Sequence, residues 1–151
     1  MCQRFLTAIF LCILVNACGS LHGVQQEFTV CDYDHAWQAA LEVAEGHAIS
    51  TQDKEAGLIV TNWLEIPMPG RRFGVMRREL AESKDRSRVT INVKRLDDVI
   101  RISFVEQRQE WAFRGGSRLM GWVPTDPSTA VMQDIQTRLD SKLKEQGCSL
   151  S

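Results

Sequence analysis

Few residues in this chain are spaced for chemistry. Cys31-Asp32-Tyr33-Asp34-His35 gathers metal-ligand side-chain types in one short run. A metal site needs further donors converging in space, and His22 and His47 stand at no ligand spacing from it. The run reads better as a helix N-terminus, where the dipole favours acidic side chains. Ser117 sits in Gly115-Gly116-Ser117-Arg118, which lacks the second glycine of a G-x-S-x-G elbow. It reads as a loop residue, not a nucleophile. Asp97-Asp98 are adjacent in a turn and diverge instead of flanking a substrate. No H-E-x-x-H, C-x-x-C, phosphate-cradling loop or dinucleotide fingerprint occurs. The expectation is a protein that is not an enzyme, with no catalytic residue, no cofactor and no metal.

What remains is binding chemistry. Trp111, Phe113, Leu119, Met120 and Trp122 lie among Gly115, Gly116 and Gly121, with Arg114 and Arg118. Aromatic and arginine side chains are the usual anchors of protein interfaces, and a loop that only joined two elements could be shorter. Trp111, Phe113, Arg114, Arg118 and Trp122 are therefore the expected partner-binding loop. The rival view has these apolar groups folded under the loop, plugging the end of a sheet.

The remaining reactive groups are cysteines. Phe5 to Val15 is an apolar run behind a single Arg4, too short to span a bilayer comfortably. It ends in Val15-Asn16-Ala17-Cys18, which resembles the bacterial lipobox. That resemblance implies a diacylglycerol on the Cys18 sulfur, cleavage before Cys18 and acylation of the new N-terminus. Each buried methylene adds ~0.8 kcal/mol to membrane binding. A secretory signal cut at the same place, or an uncleaved anchor, would leave a cysteine at the end of the apolar run unexplained. Gly19 in place of Asp after the cysteine implies, by the same resemblance, the outer membrane of the cell envelope. Residues 1–17 are then a signal peptide and 18–26 a tether. Cys2 and Cys12 leave with the signal, so Cys31 and Cys148 remain in an oxidising compartment.

The 151 residues are 44% hydrophobic and 25% charged, ordinary values for a folded domain. Charge is unevenly distributed. Residues 18–70 hold 1 basic and 8 acidic side chains, and residues 71–118 hold 13 and 7. The basic middle suits anionic lipid head groups or glycans, but solvated strand faces with arginines guarding an edge are the preferred reading. Nucleic acid is excluded as a partner by export.

The expected elements are simple. Glu27 to Val30 forms a first strand. Asp34 caps a helix over 35–45, with Trp37, Ala40, Leu41 and Ala44 on one face and Gly46 ending it in the left-handed conformation. Ala48 to Thr51 and Leu58 to Leu64 are strands, and Pro67-Met68-Pro69-Gly70 breaks the second. Phe73 to Glu82 is another, followed by a polar turn at Lys84-Asp85-Arg86-Ser87. Val89, Ile91 and Val93, then Ile100, Ile102 and Phe104, alternate with polar residues as a hairpin turning at Asp97-Asp98. Glu110 to Thr125 is irregular. Asp126-Pro127 starts a helix over 127–146, with Val131, Ile135, Leu139 and Leu143 repeating every fourth residue. These elements predict an α+β domain over 27–148: one antiparallel meander with an N-terminal and a long C-terminal helix on one face. Trp37, Leu41, Trp63, Ile91, Ile102, Phe104, Ile135 and Leu139 form the predicted core. Antiparallel helices would bring Cys31 and Cys148 together as a disulfide, provided their Cα atoms lie within about 7 Å.

Helix one with Trp37, the segment Gly57-Leu58-Ile59-Val60-Thr61-Asn62-Trp63, the meander and the final helix together resemble a helix-grip unit of BamC-type lipoproteins. Those are accessory subunits of the outer-membrane β-barrel assembly machine. BamC carries two such units and a long extended N-terminal segment, where this chain has one unit and a short tether. The resemblance implies a membrane-anchored, non-enzymatic binding or scaffold module with an envelope protein partner, held through the anchor at Cys18. The alternative is a binder of a small ligand or cell-wall glycan on the sheet face.

Overall fold

A computed structural model describes residues 23–73, 78–80, 83–114 and 120–150. Cys18, the signal segment 1–17 and Arg118 lie outside the described residues. In chain order the elements are β1 (Gln25–Val30), α1 (Tyr33–Ala44), β2 (Ile49–Asp53), β3 (Leu58–Thr61), β4 (Leu64–Met68), β5 (Arg71–Phe73), β6 (Arg78–Leu80), β7 (Ser83–Leu96), β8 (Val99–Phe113), β9 (Met120–Thr125), α2 (Thr129–Glu145) and β10 (Ser149–Leu150). β1 begins inside the segment read as a tether.

Two long strands carry the architecture. β7 and β8 pair antiparallel from Leu96↔Val99 to Asp85↔Glu110, around a two-residue turn at Asp97-Asp98. Asp97 has φ 47°, a left-handed conformation that Asp tolerates better than most side chains. Each long strand has two neighbours in succession. β7 pairs with β3 near the turn and with β4 further out, and β8 pairs with β1 and then β9. The sheet order is β10-β1-β8-β7-β3-β2, all antiparallel, with β4 and β9 extending it at one end. This is an α+β arrangement with both helices on one face.

The core follows from alternation. Val89, Ile91 and Val93 on β7 and Ile100, Ile102 and Phe104 on β8 are buried, because every second side chain of a strand faces the same side. Against them lie Trp37, Ala40, Val43 and Ala44 of α1 and Met132, Ile135, Leu139 and Leu143 of α2. Burying each large apolar side chain contributes about 1.5–3 kcal/mol. The alanines of α1 let its backbone sit close to the sheet. Gly57 sits at φ 66°, where an added Cβ would lie 2.0 Å from the Val93 carbonyl oxygen. Its own carbonyl accepts from the Val93 amide at 2.8 Å, so only glycine fits this crossing.

Several expectations are corrected. Asp32, not Asp34, is the N-cap residue of α1, and Gly46 is not left-handed. α2 is capped by Ser128, whose hydroxyl accepts from the Val131 amide, so Asp126-Pro127 precede the cap. Gly147 is left-handed at φ 76° and closes that helix. Pro67 does not end its strand. It pairs with Lys84 on edge strand β4, where a missing amide hydrogen is tolerated. The polar stretch Lys84 to Ser87 is strand, not turn, and of the stretch read as irregular, residues 110–113 end β8 and residues 120–125 form β9.

Trp63 is the instructive miss. Ile59 and Thr61 face the core, so a continuous strand would bury Trp63 as well. The register runs Val60↔Thr90 and then Leu64↔Ser87, which inserts one extra residue on the β3–β4 side. A one-residue insertion flips the following side chain to the opposite face. Trp63 therefore leaves the core and lies on the face away from the helices. Thr61 Oγ1 accepts from the Val89 amide at 2.9 Å and satisfies the backbone at the break.

Candidate functional site: the open sheet face

The face that the helices leave open is built from Lys84, Arg86 and Arg88 of β7, with Gln107, Gln109, Trp111 and Phe113 of β8. Trp122 and Pro124 of β9 and Trp63 at the bulge complete it. The pairings Arg88↔Gln107, Arg86↔Gln109, Trp111↔Trp122 and Phe113↔Met120 place these side chains on one surface.

They interleave as a ladder. Lys84 Nζ lies 5.7 Å from the Trp111 ring centroid and 5.3 Å from that of Trp122. The Arg86 guanidinium carbon is 4.4 Å from Trp122 and 4.5 Å from Trp63. Arg88 lies 4.8 Å from Trp63. Trp111 and Trp122 meet edge to face, with centroids 5.2 Å apart. A cation over a ring is attracted by the ring quadrupole, by about 0.5–1 kcal/mol where water has access. Lys84 and Arg86 each lie over two rings.

Glutamines complete the clamp. Arg86 donates from Nε and Nη2 to Gln109 Oε1 at 2.8 and 2.6 Å, and Arg88 Nε donates to Gln107 Oε1 at 2.6 Å. Lys84 is paired with Glu65 at 2.9 Å. Among the described residues, neither Arg86 nor Arg88 pairs with a carboxylate. Beside them runs a groove of about 570 Å³, lined in part by Trp63, Arg88, Gln107, Gln109 and Pro124.

The opposite face of the same strands is treated differently. There Asp85, 2% exposed, accepts from Arg108 Nη2 at 2.7 Å and Nε at 3.1 Å. Glu106, 1% exposed, accepts from the Ser128 amide ahead of α2. These inward positions are buried but polar, which explains why Lys84 to Ser87 shows no hydrophobic period.

Of the expected binding residues, Trp111, Phe113 and Trp122 come together on the open face, as strand residues and not as a loop. Phe113 is 56% exposed at the strand end. Arg114 is exposed, and its stem occupies the space that a Cβ on Gly121 would fill. Sequence reasoning missed Trp63, Lys84, Arg86, Arg88, Gln107 and Gln109. The available signal was basic residues at every second position from 84 to 88.

The run Cys31 to His35 does not converge on a site. Cys31 and Cys148 are joined by a disulfide, with Cα atoms 4.9 Å apart. Asp34 pairs with Lys54 at 3.1 Å in solvent, and the Tyr33 hydroxyl donates to the Lys54 carbonyl at 2.8 Å. Burial pushes the Tyr33 phenol up, against the lowering effect of Lys54 and Arg95. No group of three His, Cys, Asp or Glu side chains among the described residues could hold a metal ion, and no described helix is long and apolar enough to cross a membrane. No protein-family model matches the chain, and no curated protein matches it.

Proposed function

We propose that this protein is a non-enzymatic binding or scaffold module of the bacterial cell envelope, lipid-anchored through Cys18 and built on a helix-grip-like domain. The observation that carries the reading is the open sheet face. One side of the sheet is sealed by two helices, while the other presents Trp111, Trp122 and Phe113 among clamped cations. Aromatic and arginine groups held in place before contact lose little entropy on binding. The Cys31–Cys148 disulfide is of a kind that persists in oxidising compartments, which supports export. An accessory role in outer-membrane assembly is the form of this function that the sequence resemblance suggests.

The test uses the lipidated protein purified from its own envelope. Phe113→Ala and Trp122→Ala, made singly, abolish co-purification of an envelope protein while the domain stays folded. A variant that melts early but still binds normally when folded contradicts the reading. The groove beside Trp63 and Arg88 favours a second reading, a small-ligand or glycan binder. Saturable heat of binding with soluble peptidoglycan fragments, lost in Trp63→Ala, would select it.

A further inference from the structure

Charge is segregated across the sheet. Alternation sends successive side chains of a strand to opposite faces. The acidic residues of β1, β7, β8 and β9 are Glu27, Asp85, Glu106 and Glu110, and all take the helix side. The open side of the same strands carries Lys84, Arg86, Arg88, Lys94 and Arg101, and no acidic residue. Lys84 is paired with Glu65 of β4. Among the described residues, the other four cations have no carboxylate partner. Gln109 and Gln107 hold Arg86 and Arg88 without cancelling their charge. The Arg101 Nε is buried with no hydrogen-bond partner.

These cations form a row. Arg86, Arg88 and Lys94 stand on one face of β7, and Arg101 lies opposite Lys94. A strand rises about 3.4 Å per residue, so the row from Arg86 to Lys94 is about 27 Å long. Between its ends the face offers Thr90, Asn92 and Ser103, all partly exposed, with Asn92 opposite Ser103. The core of a protein interface is depleted in serine and in charge. Hydroxyls and amides in this setting suit the hydroxyl rim of a sugar ring instead. Trp63 and Pro124 border the groove beside Arg88 and suit the ring's apolar face. Guanidiniums with free donors suit carboxylates. A small anion would use one or two of these cations and leave the rest of the row idle.

We infer that an acidic linear glycan lies along β7 on the open face, its carboxylates on Arg86, Arg88, Lys94 and Arg101. The inference rests on the second reading above, a glycan on the sheet face, and names the kind of glycan.

Full-length protein in non-ionic detergent is titrated by calorimetry with hexagalacturonate, digalacturonate, neutral chitohexaose and poly-glutamate. Hexagalacturonate should bind saturably and weaken as salt is raised. Digalacturonate, too short for the row, should bind more weakly. Gln107→Glu with Gln109→Glu supplies Arg88 and Arg86 with carboxylates, and Lys94→Gln with Arg101→Gln removes the far end of the row. An exposed ion pair contributes up to about fivefold, so each double variant should lower hexamer affinity on the order of tenfold. The second should cost the dimer less than the hexamer.

Chitohexaose binding as tightly as hexagalacturonate overturns the inference and leaves the glycan reading standing. Poly-glutamate binding as tightly overturns it in favour of an acidic polypeptide. Unchanged hexamer affinity in either folded double variant overturns the placement along the row. Peptidoglycan fragments bound through Trp63, with no binding of hexagalacturonate, would remove only this inference.

Discussion

Removing the Cys31–Cys148 bond should weaken the domain through its unfolded state more than through its folded one. The perturbation is Cys31→Ala with Cys148→Ala. The half-cystines are 117 residues apart in sequence, so the bond closes nearly the whole domain into one loop. The chain-entropy relation gives about 4.9 kcal/mol for such a loop. Residual structure in the unfolded chain lowers this, and about 3–5 kcal/mol is expected. In the folded state the two ends are still held by β1 pairing with β10 at Thr29↔Leu150 and Val30↔Ser149. The Thr29 hydroxyl also donates to the Ser149 carbonyl at 2.9 Å. The far-ultraviolet circular dichroism should therefore be unchanged. Urea denaturation is the assay. The midpoint should fall, and the slope should rise because an uncrosslinked chain exposes more surface. At about 4 °C per kcal/mol for a domain of this size, Tm should drop by roughly 12–20 °C. A loss below about 1 kcal/mol, or an unchanged slope, would refute the argument that loop closure stabilises this fold.

Two further perturbations test the packing. Ile102→Ala removes a side chain with no exposure at the centre of the core and should cost about 2–5 kcal/mol by denaturant midpoint; a cost below about 1 kcal/mol would mean the core is wrongly assigned. Arg108→Gln removes one charged partner of Asp85, 2% exposed, and should cost about 1.5–3 kcal/mol. Pairing Arg108→Gln with Asp85→Asn should recover part of that loss, and strict additivity in the double-mutant cycle would show that the two side chains are not coupled.

The helical face of the fold was legible because its signal is periodic. Trp37, Ile91, Ile102, Phe104, Ile135 and Leu139 fall where their spacing predicts, and Leu41 packs half-buried against them. The outer half of the long hairpin was illegible because both of its faces are polar or mixed. Asp85, Ser87 and Glu106 are buried, so the period-two signal that marks a half-buried strand is missing there. Trp63 escaped because its face depends on one inserted residue, which shows only in the register with β7. The candidate site was half read: Trp111, Phe113 and Trp122 were singled out by residue type. Their cationic partners on β7 are 27 to 38 residues distant in sequence and meet them only through the β7–β8 and β8–β9 ladders.

Contact with another envelope component should occur through the open face. The most direct measurement places a photo-crosslinking residue at Trp122 in one variant and at Gln133 in another, in living cells. Gln133 is an exposed position on α2, on the helix side of the sheet. A discrete adduct should form from position 122 and none from position 133. An adduct from 133 with none from 122 would contradict it, because the helices would then be the working surface and the ladder only a means of holding the long hairpin together.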